Sequence, residues 1–344
     1  MTGRPLAPHS DPARISKTHY VTRYTLLAAV LIALFFLAGC RPQETAVQSA
    51  PVVLATATPR STPLPEVATA IPAGVEGNPI QMVIYSAAPR AAANFASRFE
   101  TALVEASGVA VEVLIVDRYA EGLAALCDSA GGKVSVAWVD GLTYMAAIAQ
   151  GCGEPVLLVE RGRGRNAHTG ETGVLIANSD RSFSSVAQVE GDTVCRLGYE
   201  DFWTWMVPSL VMQARGVNPT TDLEAINDYA DLEALIQAVA DGDCDAAGIP
   251  VAALDGDEPP EGVSILETTV EFPYPVLMFP PQLPLGARVQ LTEGLLAMAD
   301  DTNSARILQG LLEQDALLPV TAEDFADFTA FLERTGLDFA QLGG

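Results

Sequence analysis

The sequence predicts an exported α/β protein whose folded part rests on parallel sheet. Short apolar runs alternate with helically spaced segments from Ile80 onward, the rhythm of neighbouring parallel strands with helices over both faces. That alternation runs twice, which suits one large domain or two lobes. With 49% hydrophobic and only 18% charged residues, there is enough apolar material for a large core. Ahead of all this, the first 40 residues have the layout of an export signal.

In that leader, Arg4, Arg14, Lys17 and Arg23, with Asp11 as the one acid, precede an apolar block from Thr25 to Leu37. The block ends in Leu37-Ala38-Gly39-Cys40, small residues before a cysteine, as in bacterial lipoprotein signals. Cleavage before Cys40 and a lipid on that residue would hold the mature chain at a membrane surface. The alternative is an uncleaved membrane anchor, for which the run is short against the ~20 residues that span a bilayer. In both cases everything after residue 40 works outside the cytoplasm. Residues 41–78 are rich in Ala, Thr and Pro, as in Ala57-Thr58-Pro59 and Ser61-Thr62-Pro63-Leu64-Pro65, and read as an extended tether.

The elements of the folded part follow in order. Gln81 to Tyr85 is a buried strand, and Arg90 to Ser107 a helix with Phe95, Phe99, Leu103 and Val104 on one face. Val111–Val116 is a strand, Tyr119–Cys127 a helix, Val134–Val139 a strand and Tyr144–Ala149 a short helix. In the second series, Thr193–Leu197 and Ala246–Ile249 are strands, and Trp203–Arg215 and Leu232–Ala240 are helices. Leu291–Met298, Ser304–Leu312 and Ala322–Arg334 close the chain as helices, two of them with threonine starts suited to N-caps.

Charge and cysteines exclude several classes. The formal net charge of −24 becomes more negative once the basic leader is removed, and such a surface repels nucleic acid. Cys127, Cys152, Cys195 and Cys244 remain in an exported chain, an even number expected to pair, with three pairings open. No C-x-x-C occurs and His168 is the one histidine after the leader, so neither a metal nor another cofactor is expected. There is no G-x-S-x-G elbow or P-loop, which argues against an enzyme.

Val116-Asp117-Arg118-Tyr119-Ala120-Glu121-Gly122-Leu123 sets an Asp-Tyr helix start, and Gly132-Lys133-Val134-Ser135-Val136-Ala137-Trp138-Val139 a Gly-Lys-Val strand. Ser185–Gly191, Ala240–Ala247 and Pro319–Phe325 follow at intervals along the chain. In this order the segments together resemble the phosphate/phosphite/phosphonate-binding proteins of ABC importers. The resemblance implies a type II periplasmic-binding-protein fold: two lobes, each a mostly parallel sheet flanked by helices, joined by two crossover strands. The crossings would fall near Gly173–Ala177 and Pro273–Phe279. Lobe I would then be residues 79–172 and 277–344, and lobe II residues 173–276. Cys127–Cys152 and Cys195–Cys244 are the pairs that each stay within one such lobe. The implied partners are a small-molecule ligand and an ABC permease, with the protein a monomer lipid-anchored on the extracytoplasmic face. A ligand-sensing or partner-docking lipoprotein is the alternative.

The resemblance also places a site, with departures. The family's Ser-Thr-Ser-Gly run, which grips phosphonate at a helix start, falls on Asp201-Phe202-Trp203-Thr204. Only Thr204 offers a hydroxyl there, and Asp201, beside Glu200, would cap the helix and occupy the anion seat. Thr143 and Tyr144 match the family's Ser-Tyr pair, while Asp140 replaces a glycine. After Tyr85, Ser86 and Arg90 are the polar candidates for ligand contact. Ile249-Pro250 replaces an acid that the family uses toward amino groups. Tyr85, Trp138, Tyr144, Tyr199, Phe202, Trp203, Trp205 and Tyr274 fall near strand ends or helix starts. With the carboxylates they suit a cationic or aromatic ligand, although part of them would be core. The loop Arg161-Gly162-Arg163-Gly164-Arg165 is the contrary signal, a possible oxyanion site.

Overall fold

A computed structural model describes residues 71–86, 88–129, 133–254 and 258–341. The expected export signal, the lipid-bearing Cys40 and the tether up to residue 70 lie outside the described residues. The chain begins with β1 (Ile80–Tyr85), α1 (Pro89–Ser107), β2 (Val111–Val116), α2 (Tyr119–Cys127), β3 (Ser135–Val139), α3 (Gly141–Ala149) and β4 (Glu154–Glu160). It crosses through β5 (Gly170–Glu171) into β6 (Gly173–Asn178), β7 (Thr193–Arg196), α4 (Val207–Ala214), β8 (Ala225–Asp228), α5 (Leu232–Asp241), β9 (Ala246–Pro250) and β10 (Val263–Thr268). It returns through β11 (Phe272–Pro273) to β12 (Val276–Phe279), α6 (Leu285–Asp300), α7 (Thr302–Leu312), β13 (Ala316–Pro319) and α8 (Ala326–Glu333).

Two sheets result, ordered β13-β4-β12-β3-β1-β2 and β10-β6-β9-β7-β8. The expected α/β architecture with helix-flanked sheets is present, but the sheets are mixed. β1 pairs parallel with β2 and β3, and β7 pairs parallel with β8 and β9. β12 runs antiparallel between β3 and β4, and β6 antiparallel between β9 and β10. The reason is the crossover itself. A strand that arrives from the other sheet enters at the end toward which the local strands point, so it must run against them.

Both faces of the central strands β3, β6 and β12 are buried, which removes any polar alternation from their sequence, whereas the edge strands β2, β8 and β10 are partly exposed. On one face of the first sheet Met82, Ile84, Val136 and Leu277 pack with Phe99 and Leu103 of α1 and Leu291 and Leu295 of α6. On the other, Val83, Ala137 and Val139 pack with Leu123 and Leu126 of α2. The second sheet buries Val174, Ile176 and Ile249 against Leu235 and Val239 of α5. Disulfides Cys127–Cys152 and Cys195–Cys244 join the cysteines in the expected pairs.

Some boundaries differ from expectation for local reasons. Residues 71–78, assigned to the tether, form turns in which the Gly74 N–H donates to the Asn78 carbonyl at 2.8 Å and the Ala110 N–H to the Gly74 carbonyl at 2.8 Å. α3 begins at Gly141 rather than Tyr144 because Asp140 caps it. The helix expected from Trp203 starts as a π-helical turn, Phe202–Met206, before α4. β4 carries Pro155, which lacks a ladder donor, and its pairing with β12 shifts register beside it, between Leu277 and Met278.

Candidate functional site

The strands β1 and β3 end at one side of a cleft of about 600 Å³, the carboxyl-end position where open α/β sheets hold ligands. Tyr85, Ser86, Trp138 and Asp140 line it from these strand ends, with Tyr119 from the start of α2 and Arg161 from just beyond β4. Glu200, Phe202, Trp203 and Met206 form the facing wall beside the second sheet. Glu171, Phe272 and Tyr274, on the two crossover segments, close the back. Those segments are themselves zipped: β5 and β11 pair antiparallel, Glu171 opposite Phe272 and Gly170 opposite Pro273. Gly170 is required there, because a Cβ would come within 2.2 Å of the Phe272 carbonyl oxygen.

The aromatic walls are ordered by mutual packing. Tyr85 and Tyr119 stack with ring centroids 3.6 Å apart. The Trp203 indole lies against Gly173 of β6, where a Cβ would approach it to 3.0 Å, and meets Phe202 and Phe272 edge-on at 4.9 and 5.9 Å. Burial raises the Tyr119 phenol above its ordinary value, and the Asp140 charge adds to this. The Tyr274 hydroxyl donates to Glu171 at 3.1 Å; burial first, then that carboxylate, push its pKa up to about 12. Both phenols therefore stay neutral donors through the physiological range.

Two carboxylates close helix starts. The Asp140 Oδ1 accepts the Thr143 N–H at 2.7 Å at the head of α3. The Asp201 Oδ1 accepts the Thr204 N–H at 2.7 Å and the Thr204 hydroxyl at 2.7 Å. Loss of solvation raises the Asp140 carboxyl above the usual range, while hydrogen bonds from Thr143 oppose the rise. Of the arginine loop, only Arg161 reaches the cleft. An antiparallel bridge between Arg161 and His168 turns the loop back, its N–H···O bonds both 2.9 Å. The Arg161 guanidinium lies 4.1 Å from the Tyr274 ring centroid and pairs with Glu313 at 3.1 Å. Arg163 points to Asp315 at 3.3 Å with its side chain 85% exposed, and Arg165 is exposed. Two buried donors in this region, Trp138 Nε1 and Arg161 Nε, have no acceptor among the described residues.

Tyr85, Ser86, Asp140, Glu200 and Trp203 thus come together, and six other expected ligand contacts do not. Thr204 is 1% exposed, and its hydroxyl is spent between Asp201 and the Leu197 N–H, which it accepts at 3.0 Å. Asp201 is spent on the same cap. Thr143 is buried with its amide engaged by Asp140. Tyr144 is core, its ring 4.5 Å from Phe325. Tyr199 is 72% exposed outside the cleft, near Arg196, and Arg90 is exposed in the first turn of α1. Trp205 is core as well. Tyr119, Glu171, Phe272 and Glu313 also line the cleft, beyond the contacts expected from the sequence. For Tyr119 a signal was present, the Asp-Tyr helix start of the family motif; the others depend on the crossovers and on the end of α7.

A pair of α/β sheets joined by two paired crossovers, with an aromatic cleft at their strand ends, defines a two-lobed binding protein. The family described as ABC transporter, phosphonate, periplasmic substrate-binding protein matches residues 82–325, and the chain belongs to it. It is therefore a substrate-binding transport component of the extracytoplasmic space, in a family that takes up small molecules and works with an ABC permease. Among solved structures, a Xanthomonas citri protein bound to chloride ion is 15% identical, covering 75% of this chain and 98% of its own, with a TM-score of 0.54. A binding protein component of an ABC phosphonate transporter from Pseudomonas aeruginosa is 16% identical, covering 79% and 90%, with a TM-score of 0.48. No curated protein matches the chain. Among the described residues no helix is long and apolar enough to cross a membrane.

Proposed function

We propose that this protein is a monomeric lipoprotein, anchored through Cys40, that captures a small molecule between its lobes and delivers it to an ABC permease. In this reading lobe I comprises residues 79–172 and 277–344, lobe II residues 173–276, and the sequence before them is leader and tether. The observation that carries it is the cleft of about 600 Å³ lined from both sheets, a volume suited to a metabolite-sized ligand. In this reading the paired β5 and β11 segments are the joint about which the lobes would close on the ligand. Tyr85, Ser86, Asp140, Glu200 and Trp203 are the contacts proposed from the sequence, joined by Tyr119, Arg161, Glu171 and Tyr274.

Two measurements test this. Protein purified from its own cells and then denatured should release a low-mass compound in near-equal amount, detectable by mass spectrometry. The refolded, emptied protein should take the same compound back with a change in tryptophan fluorescence, because Trp203 lines the cleft. Absence of any released compound, together with no fluorescence response to the low-mass fraction of those cells, would refute capture. For the anchor, the full chain should fractionate with membranes and its Cys40→Ser variant should not carry lipid. A lipid-free wild-type mature protein would remove the anchor.

A further inference from the structure

The identity of the ligand's charge follows from how the cleft has been closed to anions. A helix start is an anion seat because its first N–H groups point outward unpaired. Here the helix starts at both walls, Gly141 and Phe202, are stoppered by the chain's own Asp140 and Asp201, each 2.7 Å from the amide three residues on. The hydroxyl that could have assisted, on Thr204, is consumed in the same arrangement. Around the cavity stand Asp140, Glu171, Glu200 and Glu313, against Arg161 alone. Arg161 pairs with Glu313 and is seated on the Tyr274 ring, while its buried Nε keeps a place for one further acceptor. An arriving oxyanion would meet four carboxylates against a single guanidinium, which already pairs with Glu313 through one of its nitrogens.

The same walls suit a cation. The rings of Tyr85, Tyr119, Phe202, Trp203, Phe272 and Tyr274 all border the cavity, and aromatic faces attract organic ammonium groups. A second feature fixes the other end of the ligand. Trp138 is 2% exposed and lines the cavity, yet its indole N–H has no acceptor among the described residues. A buried donor of this kind costs free energy unless something accepts from it. A ligand oxygen bearing no net charge, such as a carbonyl, answers it without adding to the negative field.

Resting on the binding-protein reading above, we propose that the ligand is an organic cation, a quaternary or protonated amine that also carries a neutral hydrogen-bond acceptor. Its ammonium lies between the aromatic walls and the Asp140, Glu171 and Glu200 carboxylates, and its acceptor faces Trp138. Phosphonate-type dianions are rejected.

The test uses two probes with the same benzoyl ester body and opposite heads: benzoylcholine, and 2-(benzoyloxy)ethylphosphonate. Isothermal titration of the emptied mature protein should show saturable binding of benzoylcholine and none of the phosphonate. Glu200→Gln should weaken benzoylcholine about tenfold, by loss of one charge-assisted contact. Asp140→Asn should do the same while keeping an acceptor for the Thr143 amide, and its unfolding curve monitors that α3 remains capped. Tighter binding of the phosphonate overturns the cation assignment but leaves the binding-protein reading standing. Benzoylcholine binding unaffected by both carboxamide variants overturns it equally, since the carboxylates would then not read the charge. Failure of both probes to bind also rejects it, and the release experiment of the preceding subsection then decides the binding-protein reading independently.

Discussion

Replacing Cys195 and Cys244 together by alanine should lower the unfolding free energy by about 4 kcal/mol, the loop-entropy contribution of a bridge with a sequence separation of 49. The bridge ties β7 to the turn that enters β9, and both cysteines are buried in the core that packs on α5. Removal therefore frees a long loop in the unfolded chain and also leaves core volume unfilled, two effects of the same sign. Cys127–Cys152, separated by 25 residues, joins the end of α2 to the loop after α3 and is partly exposed. Its loss should cost somewhat less, about 3.5 kcal/mol. Urea unfolding of the two double variants against wild type measures both. An unchanged midpoint for the Cys195→Ala/Cys244→Ala pair would show that the bridge contributes nothing.

Gly248→Ala is the second large effect. Gly248 lies in β9 beneath the start of α4, and a Cβ there would sit 2.0 Å from Pro208 Cγ and 2.7 Å from the Trp203 carbonyl oxygen. Neither neighbour yields easily: the Pro208 ring is tied to the backbone, and the Trp203 carbonyl belongs to the π-helical turn. Relief requires moving that turn off the sheet, an overpacking cost of about 3 kcal/mol. The turn also carries Phe202 and Trp203 into the cleft, so the same methyl group should reduce ligand affinity and blunt the tryptophan response. Thermal unfolding and titration of the variant would both register it. A stable variant with unaltered binding would mean the turn is free to shift, contrary to the packing seen here.

The alternation of strand and helix was legible because each βα unit announces itself within about 30 residues. The disulfide pairs followed once the two-lobed resemblance assigned each cysteine to a lobe. The mixed character of the sheets was not legible from local pattern: β6 and β12 are apolar runs like their neighbours, and only their arrival from the other sheet reverses them. The site was half legible for a similar reason. Tyr85, Asp140, Glu200 and Trp203 sit where a strand ends or a helix begins, a position that periodicity reveals. Tyr144 and Thr204 occupy equally suggestive positions, yet one turns into the core and the other is consumed by its own cap. Arg161 and Arg163 are two residues apart in one motif and diverge because a bridge to His168 fixes the first and Asp315 draws off the second.

If the cleft takes a ligand as proposed, the crossover ladder bears on how its occupancy would be transmitted. Glu171 stands in β5 and Phe272 opposite it in β11, while Tyr274, one residue past that strand, returns a hydrogen bond to Glu171. On the neighbouring side the Thr169 hydroxyl donates to Glu271 at 2.7 Å. Residues that line the cleft are thus also rivets between the two crossover segments. In the proposed closure, a molecule bound at Glu171 would share or compete for the carboxylate that holds Tyr274, so recognition would act at the pivot directly, with no lever between sensing the cargo and swinging the lobes.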